Sequence, residues 1–499
     1  MRKLYITAGL CLRLFLGSTA LQAQDLNAFE QQVTEHTLSN GMKFIIVERD
    51  VAPVATFMTF VNAGGVDEPV GLSGVAHIFE HMAFKGTSRI GTNNIEAEMA
   101  LIPEIDATYT QWIRERRNPN ASQATLDSLW TRFQELEEQA KNYVVSNEFS
   151  QIIDRQGGVG LNAGTGMDFT IYFYSLPQNK AELWFSLESE RFKDPVMREF
   201  YVEKEVITEE RRQVVESNPI RRMLEEFTAV AYTALPYRDA LIGWPSDIES
   251  VTIESALEFY NDFYVPSNMF VVIVGDVDPQ EMIAHAETYF SDMPGEGVEP
   301  PLMMVEEPRQ RGERRFVIED PAQPMLAIGY KTVPASHPDA LALDVLSGIL
   351  FEGRTSRMNR SLVDEQELAL AAISLNGFPG DKHTTLFGAV ALPNQDVTLE
   401  DLEEAVHVEI DRLKTELVSE EELRRVITQR RASLLRQLGN NTGIANLISF
   451  TQGKTGDWRT IFTDLDRMME LTPEDLQRVA NLYFEPSQRT VGYLVNATE

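Results

Sequence analysis

A stretch of 25 residues occurs twice in this chain. VTIESALEFYNDFYVPSNMFVVIVG, from Val251 to Gly275, aligns without gaps on LTPEDLQRVANLYFEPSQRTVGYLV, from Leu471 to Val495. Thr252/Thr472, Glu254/Glu474, Asn261/Asn481, Pro266/Pro486 and Ser267/Ser487 coincide at an offset of 220. Each copy reads as a helix capped by its threonine, a Pro-Ser turn and a β-branched strand. A looser match sets Gly41–Met42–Lys43–Phe44 against Gly312–Glu313–Arg314–Arg315–Phe316, 271–272 residues further on. Self-similarity on this scale means one folding unit used twice. Because the offset falls from about 271 to 220, the first copy carries about 51 extra residues.

Those residues have a visible address. From 95 to 145 the pattern turns helical: Ile105, Tyr109 and Trp112 mark one arm, and Leu126, Leu129, Phe133, Leu136 and Ala140 the return. Asn118–Pro119–Asn120 turns between them, which predicts an antiparallel helical hairpin inserted in the first unit. It would serve as a lid, as a partner-docking arm, or as a surface insertion packing on its own domain. Strand-like runs fall at Phe44–Val47, Ala55–Val61, Thr170–Tyr174, Phe270–Val274, Arg315–Ile318 and Leu326–Tyr330, without a regular βαβα rhythm. The expected fold is therefore α+β: two homologous domains, each a mixed or antiparallel sheet flanked by helices. They would span 30–290 and 303–499, joined by a Pro/Gly-rich linker at 291–302.

The first 23 residues read differently. Arg2 and Lys3 precede an apolar run from Leu4 to Leu16 and small residues up to Ala23, the layout of a secretory signal peptide. This predicts export to the periplasm, with the extracellular space as the alternative. No later apolar run approaches the roughly 20 residues of a membrane-spanning helix. Removal of 1–23 would discard the only cysteine, Cys11, and take the formal net charge from −32 to −35. So acidic a chain repels phosphate backbones, which argues against nucleic-acid binding.

The chemistry concentrates in GLSGVAHIFEHMAFKG, Gly71 to Gly86. His77 and His81 stand four apart, on one helical face, and can offer two nitrogens to one tetrahedral metal. Glu80 faces the same side; a carboxylate beside a zinc-activated water can take its proton. A catalytic zinc takes three protein ligands, so one is missing. The acidic helix Phe200–Ser217 offers Glu203, Glu205, Glu209, Glu210 and Glu216, with Val202, Val206, Ile207 and Val214 as its expected buried side. Composition does not choose among these carboxylates.

His77–Glu80–His81 is the inverted zinc motif, and its surroundings resemble the pitrilysin family, which includes insulin-degrading enzyme and the mitochondrial processing peptidase. HIFEHMAFKGT (His77–Thr87), GGVGLNAGTGMDFTIYF (Gly157–Phe173) and FYVEKEVITEE (Phe200–Glu210) are each similar to stretches of that family. The resemblance implies one Zn²⁺ per chain held by His77, His81 and Glu210, with Glu203 supporting the ligands and Glu80 as general base. It implies that Asn162 and Ala163 lie on a strand that accepts peptide. The 129 residues from His81 to Glu210 exceed the family's usual spacing by about the length of the insertion. The fold implied is one half-shell of two similar domains, working as a homodimer or with a related non-catalytic subunit. The second half has Gly348 and Glu352 where an offset of 271 puts the histidines. Its FEGRTSRMNRSL, Phe351 to Leu362, is similar to a glycine-rich family segment but carries Glu352 and Arg354, and reads as a helix and turn. The expectation is a zinc endopeptidase acting on extended peptides or unfolded polypeptides. The alternative is a non-catalytic scaffold or partner subunit of a related peptidase complex.

Overall fold

The structure, a computed structural model, describes residues 29–497; the expected signal peptide lies outside the described residues. Two sheets carry the fold. The first holds β1 (Val33–Thr37), β2 (Lys43–Glu48), β3 (Val54–Val61), β4 (Val159–Thr165), β5 (Thr170–Pro177) and β6 (Met269–Gly275), in the order β1-β2-β6-β3-β5-β4. The second holds β7 (Arg314–Asp320), β8 (Met325–Thr332), β9 (Ala369–Ser374), β10 (Thr385–Pro393) and β11 (Arg489–Asn496), in the order β7-β11-β8-β10-β9. Without β1 the two orders coincide. So does the register: Lys43 faces Phe270 in the parallel pair β2–β6, and Arg314 faces Thr490 in β7–β11, at the offsets of 271 and 220. The remaining pairs are antiparallel, so both sheets are mixed.

The helices that cover the sheets and frame the site are α1 (Val75–Met82), α2 (Ile95–Arg116), α3 (Gln123–Lys141), α4 (Phe200–Arg211), α5 (Pro219–Ala231), α6 (Ile253–Phe263), α7 (Ala340–Phe351), α8 (Glu420–Gln437), α9 (Asn441–Thr455) and α10 (Pro473–Tyr483). The repeated helices α6 and α10 begin alike. Thr252 Oγ1 accepts from Ser255 N at 3.2 Å, and Thr472 Oγ1 from Asp475 N at 3.2 Å, each answered by the partner's side chain. Such reciprocal caps stabilise a helix start by about 1 kcal/mol.

The six strand runs read from sequence lie within β2, β3, β5, β6, β7 and β8. The inner strands β2, β3, β6 and β8 are nearly continuous apolar runs because both faces of the sheets are covered there, whereas the edge strand β7 alternates and leaves Val317 exposed. Phe44, Ile46 and Phe57 turn to a core shared with α1 and α6, while Ile45, Val47 and Met58 turn to Ile444, Ala445 and Ile448 of α9. In the second sheet, Leu326 and Ile328 pack under α7 and α10, and Met325 and Ala327 meet Met223, Phe227 and Ala231 of α5. Each half thus lends one helix to the other half's sheet. Gly453 lets α9 lie close, since a Cβ there would sit 2.4 Å from the Phe60 ring. An irregular stretch, 291–313, containing the expected linker, leads into β7.

The helical hairpin is present as α2 and α3. Its Tyr109 and Phe133 rings pack on Tyr201 of α4, with centroids 4.0 and 5.3 Å away. It lies against its own half, on the helix that carries Glu203 and Glu210.

Candidate metal centre

Helix α1 starts at Gly74, a residue with φ +91° and no side chain to cap with. Glu68 caps it instead: its carboxylate accepts from Gly74 N and Ala76 N, both at 2.9 Å. One turn in, the His77 and His81 rings meet edge to face, with centroids 4.7 Å apart and planes at 85°.

Helix α4 crosses α1 and brings Glu210 to this pair. Glu210 Oε2 lies 3.8 Å from His77 Nε2 and 3.5 Å from His81 Nε2, and one ligand atom from each residue lies within 4.8 Å of the others. These separations are too long for hydrogen bonds. Four ligands around zinc at 2.0–2.1 Å stand about 3.4 Å apart, so the donor set and its spacing fit that ion. Burial and the neighbouring His81 bring the His77 pKa down to about 4, keeping its ring neutral, the form that ligates.

Glu203 sits one layer out. Its Oε1 pairs with His81 Nδ1 at 2.8 Å and its Oε2 with Lys85 Nζ at 2.6 Å. Burial alone would raise its pKa, but the bonds to His81 and Lys85 outweigh it and take the group down to about 2. An anion there holds His81 by Nδ1–H and turns Nε2 to the gap. Glu80, 9% exposed, accepts from Thr165 Oγ1 at 2.6 Å, and burial pushes its pKa up. Glu80, His81, Phe84 and Asn162 line one cavity of about 350 Å³. Asn162 and Ala163 lie on β4, the edge strand of the first sheet. Asn162 is exposed to the cavity, whereas Ala163 packs toward the core.

The structure therefore brings together His77, Glu80, His81, Glu203 and Glu210. Of the other carboxylates on this stretch, Glu209 pairs with Arg212 and Gln213, Glu216 approaches Arg211, and Glu205 is exposed. The expected buried side of α4 is corrected. Val202, Val206 and Val214 are 41%, 47% and 37% exposed, and only Ile207 of that set is buried. The inward faces belong instead to Phe200, Tyr201, Glu203, Lys204 and Arg211, whose polar ends find partners. The helix also loosens into π-turns at Arg212–Glu216 rather than running regularly to Ser217. Sequence reasoning missed Thr165, Lys85 and Glu68. Thr165 lies inside the Gly157–Phe173 stretch already singled out, two residues after Ala163, and Lys85 inside the His77–Thr87 stretch. Glu68 gave no signal, since its partners are backbone amides.

Residues 43–111 match the family profile described as Insulinase (Peptidase family M16), and 250–430 that of the Peptidase M16 inactive domain. Zinc protease PqqE of Helicobacter pylori is 28% identical over 467 residues, covering 92% of this chain and 91% of that protein. A probable mitochondrial-processing peptidase subunit beta of Arabidopsis thaliana is 24% identical over 469 residues, covering 92% and 77%. Among solved structures, a protease from Helicobacter pylori superposes with a TM-score of 0.76 at 26% identity, over 93% of this chain and 99% of that one. The periplasmic protease PqqL from Escherichia coli shares the fold at a TM-score of 0.68 and 17% identity; 93% of this chain covers only 48% of it.

Proposed function

Because the chain belongs to the M16 family of insulinase/pitrilysin-like proteins, we propose that it is a working zinc endopeptidase rather than a member that keeps the fold alone. The observation that carries this reading is the convergence of His77, His81 and Glu210, with Glu80 poised on the same cavity. His77, His81 and Glu210 would hold one zinc per chain. When bound, it supplies Lewis acidity to the scissile carbonyl and to the attacking water.

The chain's own residues supply the rest. Glu80 takes the proton from the attacking water and passes it to the leaving amine. Thr165, donating to Oε2, fixes that carboxylate at the wall of the cavity. Glu203 holds His81 in one orientation. An extended peptide adds as a further strand to β4, past Asn162 and Ala163. Such main-chain pairing is indifferent to side chains and suits unfolded polypeptides.

The site works in an exported compartment, the periplasm, after loss of residues 1–23. This agrees with the absence, among the described residues, of any helix long and apolar enough to cross a membrane. A chain matching half of PqqL in fold supports pairing with a second half-shell, a second copy or a non-catalytic relative. The scaffold-subunit reading draws on the match of 250–430 to the inactive-domain profile, but that stretch excludes His77, Glu80, His81 and Glu210. Glu80→Gln separates the two. Zinc content should stay at the wild-type level while peptide cleavage falls by about 10²–10⁴-fold. Undiminished cleavage by the variant would remove Glu80 as the base.

A further inference from the structure

Helix α4 is held on two sides. Toward α1, Glu203 is tied to His81 and Lys85. On the side of the hairpin the next residue, Lys204, points inward and is 4% exposed. Its ammonium donates to Val251 O at 2.6 Å, Glu249 O at 3.0 Å and Tyr109 Oη at 3.2 Å. It also lies 4.4 Å from the Tyr109 ring centroid and 5.0 Å from that of Tyr201. Three donors meet three acceptors, and no carboxylate touches it. Burial takes its pKa down to about 7 against the opposing pull of the Asp106 carboxylate, while the carbonyls and ring faces are what the ammonium touches.

Such a buried cation costs more than an apolar side chain of the same length would, unless the position needs what only it can do. Here it joins three separate elements, α4, the inserted hairpin and the turn before α6, at one point. We propose that Lys204 is a positioning residue for the metal centre, fixing the rotation of α4 and so the place of Glu210. The geometry shows why rotation matters. A carboxylate standing about 6 Å from a helix axis moves about 1 Å when the helix turns by 10°. A metal site tolerates about 0.2 Å. Contacts with α1 alone would leave α4 free to rock about that line; Lys204, on a different face and beside the Tyr201 ring, restrains that motion with directed hydrogen bonds. The insertion thereby becomes part of the support of the metal site, through Tyr109.

This inference rests on the zinc reading of the site. The test is zinc affinity, measured by competition with a chelator at a temperature where circular dichroism shows each variant folded, alongside the thermal midpoint of the zinc-free protein. Lys204→Met should bind zinc at least about ten-fold more weakly. A merely structural lysine would lower the midpoint and leave the affinity of the folded protein within two-fold of wild type, and that result overturns the proposal. Tyr109→Phe keeps the ring and removes one acceptor. It should weaken zinc binding about three-fold, and an unchanged affinity would overturn the proposal even if Lys204→Met fails to fold. Wild-type protein that binds no zinc would instead bring down the metal reading itself.

Discussion

The two halves place the same pair of helices over the same sheet and do opposite things with the space between them. In the first, α1 and α4 leave three ligand-type atoms separated by 3.5 and 3.8 Å gaps. In the second, α7 and α8 stand in the corresponding places. An offset of 271 takes His77 to Gly348 and His81 to Glu352; an offset of 220 takes Glu210 to Arg430. Arg430 closes the space with charge: Nη2 donates to Glu352 Oε1 at 2.6 Å and Nε to Asp344 Oδ2 at 2.8 Å. Val426 closes it with bulk, lying where a Cβ on Gly348 would come within 2.6 Å. Sheet order and register survive in both copies because they are set by sheet faces that both must bury. The ligand-type trio is present in one, because it depends on leaving those atoms unpaired and apart.

The largest effect should come from filling or emptying that gap. Glu210→Gln should lose zinc and with it cleavage, whereas Glu209→Gln, altering a half-exposed group paired with Arg212, should keep both. Elemental analysis of the purified variants decides it. Zinc retained by Glu210→Gln and lost by Glu209→Gln would move the third ligand one residue along the helix.

A smaller effect is expected in the closed half. Gly348→Ala gains helix propensity of about 1 kcal/mol but drives a methyl into Val426, which costs about 1–3 kcal/mol. The balance should be a loss of stability in urea unfolding, recovered in Gly348→Ala/Val426→Ala, with zinc content unchanged throughout. A Gly348→Ala protein more stable than wild type would mean that α7 and α8 are less tightly apposed than Val426 suggests.

How much of this was legible beforehand depends on what each signal reports. The repeat could be read because a threonine cap, a Pro-Ser turn and a β-branched strand are local requirements, met at Thr252 and Thr472 alike. His77, Glu80 and His81 could be read because their spacing on one helix is itself the geometry. Glu210 needed the resemblance, since five carboxylates on one stretch look the same to composition. The valines of α4 misled for a related reason. Periodicity assumes that apolar residues face inward, whereas here Tyr201, Glu203, Lys204 and Arg211 do so with polar partners for their ends, and Val202 and Val206 are left outside. Nor does an apolar helix face say which sheet it will cover, so the exchange of α5 and α9 between halves was invisible. β9 and β10 went unread, although their pairing repeats that of β4 and β5.

The smallest expected effect distinguishes the halves by pH. Glu137 of α3 lines a cavity of about 310 Å³ between the hairpin and α4, together with Glu199 and Glu205. Burial, then repulsion from Glu205 and Glu199, pushes its pKa up to about 7. The folded chain therefore keeps a proton that the unfolded chain gives up near 4.5, and stability falls as pH rises from about 4.5 to 7. Glu422 of α8 behaves in the opposite sense. Burial would raise it, but the Arg357 guanidinium and the Ser419 amide take it down to about 2, so its contribution is present above about 4.5 and is lost as pH falls toward 2. Glu137→Gln should then stabilise the protein at pH 8 by something on the order of 1 kcal/mol, allowing for solvent screening, and do nothing at pH 4. Glu422→Gln should cost a similar amount at pH 7 and progressively less below pH 4. Thermal midpoints across that range would show the two curves diverging in opposite directions. A Glu137→Gln curve parallel to wild type would mean that the carboxylates around the open cavity are as well solvated as any on the surface. The contrast between an open first half and a closed second would then stop at the ligands themselves.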